Sequence, residues 1–390
     1  MPKQMTCDVV VVGAGMVGAA CAYYAGLAGM DVVVLDRGAV SGGTTGGGEG
    51  NLLVSDKEPG PELELALLSL RLWGEIADEF GAAVEYEAKG GIVVAETPDA
   101  LAALDAFAAR QRASGVSALS VDPERLRELE PHLTLDALGG VLYPQDAQVM
   151  PALAAAHLLR ASGARVETGR TVSKVLRRAD GSVYGVRTGE QGDIHAPFVV
   201  NAAGTWGGQV AALAGVHLPV LPRRGFVLVT EPLPPRRVRH KVYAADYVAD
   251  VASDSAALQT SPVVESTAAG PVLIGASRER VGFDRRLSLP VVRALAAGAT
   301  RLFPFLADVR VMRTYAGFRP YLPDHLPAVG ADPRAPGLFH ACGHEGAGIG
   351  LAPGTGHLIA QLMCGQPPSL DPHALRPDRF PEEAVTDDRP

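Results

Sequence analysis

Hydrophobic positions along this chain follow two rhythms. An unbroken apolar run at Asp8–Val12 is followed by a glycine turn at Gly13–Gly18, small residues over 19–29 and a second apolar run at Asp31–Asp36. A continuous β-branched run predicts a buried parallel strand, and the small-residue stretch predicts a helix packed closely on it. Leu63–Phe80 places Leu, Ala, Trp and Ile at helical spacing, and Pro98–Ser114 repeats the pattern with alanine, on either side of a short strand at Gly91–Ala95. Ser120–Leu129 and Pro151–Ser162 predict further helices, each with proline near its start. Strand signals dominate next, at Arg165–Thr168, Val172–Arg177, Val183–Thr188 and Ile194–Val200. Residues 218–330 read as strands with proline-rich connections and one helix over Pro290–Leu302. The stretch after Gly365, rich in proline and charge, reads as a surface strap or a disordered end.

Composition narrows the class. With 390 residues and 47% apolar content the chain is globular and long enough for two domains. A net charge of −8 argues against a nucleic-acid partner. Residues 9–30 lack charge, but their five glycines and the charged strand that follows argue against a membrane span. Cys7, Cys21, Cys342 and Cys364 are scattered without metal-ligand spacing, so no metal site is expected and a reduced, cytoplasmic setting is.

Gly13-Ala14-Gly15-Met16-Val17-Gly18 has the G-x-G-x-x-G spacing. The first glycine serves a tight turn, the second close approach to a pyrophosphate, and the third helix–strand packing. The helix N-terminus adds free N–H groups and a positive dipole end. Asp36 closes the second strand 21 residues after Gly15, placed to accept from a ribose hydroxyl. Its charge disfavours a 2′-phosphate, which Arg37 partly offsets. A bound dinucleotide follows. The run GAVSGGTTGGGEG at 38–50 reads either as a linker or as backbone brought close to a ligand. The element order predicts an α/β fold in which a Rossmann-like domain with a parallel sheet is interrupted by a substrate domain with a mostly antiparallel sheet. The expected boundaries are 1–85, 140–216 and 321–365 for the cofactor domain, 86–139 and 217–320 for the substrate domain, and 366–390 for the tail.

Four segments together resemble the D-amino-acid oxidase and glycine oxidase family of flavoproteins. They are GAGMVG with Asp36; Gly43-Thr44-Thr45 with its glycine run; VVNAAGTWGG at 199–208; and AGFRPYLPDHLPAVG at 316–330 followed by CGHEGAGIGLAPGTG at 342–356. The resemblance implies FAD, with its adenine end on Gly13–Gly18, Asp36 and Arg37. Thr44, Thr45 and Gly48 would lie along the pyrophosphate and ring. Val172 would contact adenine through its backbone, and Ala203, Gly204 and Trp206 would sit near the pyrophosphate; Trp206 as a plain core aromatic is the alternative. Gly343, Gly346, Ala347, Gly348, Ile349 and Gly350 would pass under the flavin ring. A helix starting near Pro353 or Thr355 would aim its N-terminus at the pyrimidine edge. Cys342 and His344 lie where some relatives attach flavin covalently, but relatives with a cysteinyl flavin carry that cysteine in the stretch matching Arg313–Gly317. This chain has none there, so non-covalent FAD is expected.

On the substrate side, the resemblance gives Arg319 the role of a carboxylate clamp, which suits a planar guanidinium; pairing with Asp324 is the structural alternative. Glycine oxidases carry a second arginine in the stretch matching Gly346, whereas this chain has Glu345-Gly346. That departure implies room for a substituent on nitrogen or Cα. Glu49 and Asn51 could contact the amine or serve turn chemistry, and Tyr243 and Tyr247 could line the pocket or the core. His240 and His325 are expected at the surface or in turns. The implied activity is oxidation of the C–N bond of an α-amino acid or N-substituted glycine by hydride transfer to flavin N5, giving an imine that hydrolyses to oxo acid and amine while O2 becomes H2O2. One alternative is the FAD-bearing subunit of an amino-acid dehydrogenase of the D-hydroxyproline or opine type, with a partner taking the electrons. The other is a non-catalytic FAD- or NAD-binding regulatory protein. A homo-oligomer is compatible with each reading.

Overall fold

The computed structural model describes residues 5–189, 192–245 and 258–380. Its fold is mixed α/β. A six-stranded sheet runs in the order Ala328–Ala331, Leu338–Cys342, Phe198–Asn201, Val9–Val12, Val32–Leu35 and Arg165–Glu167, parallel except at its 328–331 edge. An eight-stranded sheet takes Val311–Tyr321, Leu221–Pro232, Pro271–Arg278, Gln259–Ser266, Lys241–Ala244, Gly91–Ala95, Gly139–Tyr143 and Leu119–Val121 in that order. All its pairings are antiparallel except the one between 241–244 and 91–95. No helix among the described residues is long and apolar enough to cross a membrane.

The valines of the two central parallel strands are fully or almost fully buried, as a strand covered on both faces requires. The helix after the first strand spans Met16–Leu27, not Ala19–Gly29, because Gly15 is already its N-cap. Glycine also sets the spacing between this helix and Ala352–Met363: a Cβ at Gly356 would overlap the Ala20 backbone. The run read as one strand over Ile194–Val200 divides in two. Asp193–His195 joins a four-stranded sheet, and Phe198–Asn201 joins the parallel one. Pro197 stands at the break, where it cannot donate to either ladder. Residues 120–129 likewise divide into the strand Leu119–Val121 and the helix Pro123–Leu129, with the Asp122 carboxylate capping the Arg125 N–H at 2.8 Å.

The segment after Gly365 forms a strap as far as residue 380; residues beyond it lie outside the described ones. Leu375 is fully buried, and Arg379 reaches back to the Asp324 carboxylate (2.7 and 3.1 Å) and the Leu326 carbonyl (2.6 Å). Asp324 is therefore the partner of Arg379.

Candidate active site

A cavity of about 690 Å³ opens between the carboxyl ends of the parallel strands and the eight-stranded sheet. Its first wall is largely backbone. Gly13 has φ +118°, and a Cβ there would overlap the Ala202 carbonyl; a Cβ at Gly18 would overlap the Gly13 carbonyl. The turn thus requires glycine at both positions. The Asp36 carboxylate accepts from Ala14 N–H (2.8 Å) and Gly38 N–H (2.7 Å), so it pins the turn and keeps lone pairs for a further donor. Thr45 Oγ1 accepts from Met16 N–H (2.9 Å), and the first turn of the 16–27 helix carries no acidic side chain. Trp206 is sandwiched between the Arg37 guanidinium, 4.0 Å from its ring centre, and the Phe283 ring, 5.4 Å away and nearly parallel. That stack resolves its alternative reading: Trp206 lines the cavity and is not a plain core aromatic.

The second wall is tied to the first through the 311–321 strand. The hydroxyls of Thr44 (2.6 Å) and Thr205 (2.9 Å) both donate to the Phe318 carbonyl, and Tyr315 donates to the Gly48 carbonyl (3.3 Å). Gly47 and Gly317 touch backbone to backbone, a contact no side chain would allow. These ties fix Arg319 at the cavity, where its Nη1 donates to the Ser277 carbonyl (2.8 Å). Directly across the ladder stands Arg223, fully buried. It donates to Glu345 Oε1 (2.5 Å) and Gln259 Oε1 (2.7 Å). His325 Nδ1 lies 3.1 Å from the other Glu345 oxygen. His325 and Arg223 hold the Glu345 carboxyl down at about 2 against a desolvation cost that pulls it up. Glu345 also has φ +46°, uncommon for a residue with a side chain.

Of the residues expected at the cofactor and substrate, Gly13, Gly15, Met16, Val17, Asp36, Arg37, Thr44, Thr45, Gly48, Glu49, Asn51, Val172, Ala203, Gly204, Trp206, Arg319, Glu345, Gly346, Gly348 and Ile349 line this one cavity. Ala14, Gly18, Gly343, Ala347 and Gly350 do not line it. Gly350 is held by Trp73, whose indole N–H donates to its carbonyl at 3.1 Å. Tyr243 does not reach the cavity. It is fully buried and donates to Ser55 Oγ (2.5 Å), whose hydroxyl in turn donates to Asp146 (2.5 Å). All four residues of its strand, Lys241–Ala244, are buried, and burial raises the phenol's pKa well above its usual 10. Tyr247 lies outside the described residues. His325, expected at the surface or in a turn, closes the turn after Leu322 (N–H to the Leu322 carbonyl, 3.0 Å) and is half-buried against Glu345, and His240 bonds to Glu130 (2.9 Å). Arg223 and Arg285, which also take part here, were not anticipated; Arg223 becomes visible only through its register opposite Arg319.

Two further groups bear on the chemistry. His344 lines the cavity with Nε2 2.9 Å from Thr355 Oγ1, and burial pushes its pKa down to about 3, so it is neutral. Cys342 directs its thiol to the Asn201 carbonyl (3.0 Å), and burial pushes it up to about 12, so it is no nucleophile. The cavity also fits a large polar cofactor. Asn51 Nδ2 donates to Glu49 Oε2 (3.1 Å), but Glu49 Oε1 and Asn51 Oδ1 are buried without a hydrogen-bond partner. Glycine at 43 and 204 leaves open the space along Trp206 and Thr44 that a Cβ would enter.

Comparison with known proteins agrees with this geometry. Residues 8–362 match the family described as FAD dependent oxidoreductase. The chain is 34% identical over 271 residues to hydrogen cyanide synthase subunit HcnC of Pseudomonas aeruginosa, a match covering 68% of this chain and 61% of that protein. It is 29% identical over 398 residues to human mitochondrial sarcosine dehydrogenase, covering 99% of this chain but 42% of that one. The chain thus spans less than two thirds of the length of both. Glycine oxidase from Geobacillus kaustophilus matches nearly end to end, at 30% identity over 365 residues, covering 91% of this chain and 92% of that one. Its crystal structure superimposes with a TM-score of 0.86 over 97% of this chain and 100% of that one, at 26% identity.

Proposed function

This chain belongs to the FAD-dependent oxidoreductase family, and from that premise we propose that it oxidises the carbon–nitrogen bond of an α-amino acid or N-substituted glycine. The observation that carries the proposal is Arg319, anchored on the 311–321 strand in the same cavity as the dinucleotide turn. Its planar fork suits a substrate carboxylate, and holding that group fixes the α-carbon, which is most of what such a site contributes. Glu49 and Asn51 face the cavity with unpartnered oxygens suited to the substrate nitrogen. Glu345 keeps its charge engaged by Arg223 and His325, which leaves the small Gly346 beside Arg319 as room for a substituent. The cofactor would be held by Gly13–Gly18, Asp36, Arg37, Thr44, Thr45, Val172, Gly204, Trp206 and the 343–350 turn.

FAD, when bound, supplies a two-electron acceptor for the hydride that leaves the α-carbon. The imine then hydrolyses, so that amine, O2 and water give oxo acid, the freed amine and H2O2. HcnC and sarcosine dehydrogenase among the relatives support a second reading, in which a partner takes the electrons instead of O2.

The two readings separate in one experiment. The flavin of the purified chain should bleach with an amino-acid substrate and recover in air with peroxide if O2 is the acceptor; bleaching that persists in air favours the partner. Arg319→Ala should cost about 2–5 kcal/mol in carboxylate binding. Unchanged steady-state kinetics with a carboxylate substrate would remove the clamp from the proposal.

A further inference from the structure

A second cavity, of about 550 Å³, adjoins the first and shares Thr45, Gly48 and Glu49 with it. Its walls are mostly apolar: Val149, Met150 and Pro151 on one side, Val229, Pro271 and Leu273 on the other. It reaches the surface at Ala268, Ala269 and Met312; Met312 is 70% exposed. The charges along it are mainly acidic. Glu49 stands at the throat, and Glu85 and Glu87 lie farther out, with Arg313 the cation on its lining and Lys89 bonded to Glu87 (3.2 Å). The fully buried Glu265, behind Glu49, has neither oxygen hydrogen-bonded, and Lys241 has an unbonded Nζ. Glu49 itself lies against the eight-stranded sheet where a Cβ at Gly275 would overlap its carboxylate.

We propose that this second cavity is the binding site for an uncharged, apolar arm on the substrate amine, with the nitrogen at the Glu49 throat and the carboxylate toward Arg319. The inference rests on the carboxylate–amine reading above and names the substituent. An apolar cavity with an exposed methionine at its mouth admits hydrocarbon from water, and each CH2 buried there favours binding. A throat carboxylate with one buried, unpartnered oxygen attracts an ammonium and repels a second carboxylate. N-alkylglycines with arms of about four to six carbons, a length suited to a cavity of this size, therefore belong here, and iminodiacetate, whose arm is acidic, does not.

The test uses the FAD-loaded chain with sarcosine, N-pentylglycine and iminodiacetate, and separately hexylamine as a ligand with no carboxylate, followed by calorimetry. In the wild type, kcat/KM should rise about tenfold or more from sarcosine to N-pentylglycine and be lowest for iminodiacetate. Val229→Trp, which fills the cavity, should lower N-pentylglycine turnover and hexylamine affinity tenfold or more while sarcosine changes less than threefold. Met312→Trp at the exposed rim offers the same contrast if Val229→Trp fails to fold. Arg319→Ala should leave hexylamine binding intact, so the arm site is read even if the carboxylate clamp is wrong. A wild type that binds no hexylamine, a preference for iminodiacetate, or an equal loss for sarcosine and N-pentylglycine would overturn the assignment.

Discussion

The 9–36 wall of the cavity presents backbone to its ligand, whereas the wall made by 221–232 and 311–321 presents charged side chains. On the first, Gly13 and Gly18 are dictated because a Cβ at either would overlap a main-chain carbonyl, and Asp36 works by pinning two N–H groups. On the second, Arg223 and Arg319 sit opposite each other in a ladder, and Glu345 arrives from a turn over a hundred residues later to bind one of them. A backbone wall tolerates almost no change at its glycines but carries little electrostatic risk. A charged wall stores its specificity in buried ions that are costly if one partner is lost.

The largest effect expected from that contrast is at Gly18. Gly18→Val drives a branched Cβ into the Gly13 carbonyl and displaces the turn. FAD affinity should fall at least about 100-fold, roughly 2.7 kcal/mol, seen as flavin absorbance per protein after gel filtration. A variant that retains stoichiometric flavin would mean the turn does not set the cofactor wall.

On the charged wall the expected loss is stability. Arg223→Ala leaves the Glu345 carboxylate buried with its main cation removed, which should cost about 3–5 kcal/mol in urea unfolding while flavin content in the folded fraction stays near wild type. Arg223→Met combined with Glu345→Gln should recover most of that loss, because no uncompensated charge remains. If the single and double variants are equally unstable, Arg223 acts through packing, and the contrast between the walls weakens.

Legibility in the sequence follows the same division. The parallel strands, the glycine turn and Asp36 were readable because backbone geometry demands particular residues at fixed local spacing. Arg319 was readable only through its resemblance to a family motif. Arg223 carries no local signal: its meaning comes from a register that pairs residue 223 with 319 and from a turn that delivers Glu345. Tyr243 stayed open between pocket and core for a related reason, and the structure places it in the core. A strand alternates its faces, and nothing in residues 241–244 says that both are covered by core, Val242 on one side and Tyr243, bonded to Ser55, on the other. The split of 194–200 into two sheets escaped because Ile194, Ala196 and Phe198–Val200 read as one strand-forming run, and Pro197 alone marks the break.

The smallest effect is a pH dependence, and it separates an apolar burial from an ionic one. Burial alone holds His344 near 3, against its usual 6.5. Above pH 6.5 folded and unfolded chains agree on its proton. Below it the unfolded chain takes up a proton that the folded chain refuses, so the stability contributed by neutral His344 is lost as pH falls from 6.5 toward 3. The slope approaches about 1.4 kcal/mol per pH unit. Asp146 tilts the other way: burial raises it from 3.8 to about 7, so between those values the folded state holds the extra proton and stability falls as pH rises. The two overlap and partly cancel in the whole protein, which makes the wild-type curve alone a poor measure. The difference between wild type and His344→Gln, followed by urea unfolding from pH 7 to 5, isolates the histidine. It should grow in the variant's favour as pH falls. A difference that stays flat would mean that His344 keeps access to water or to a counter-charge, and that the C-terminal turn does not share the dry, backbone-built character of the cofactor wall.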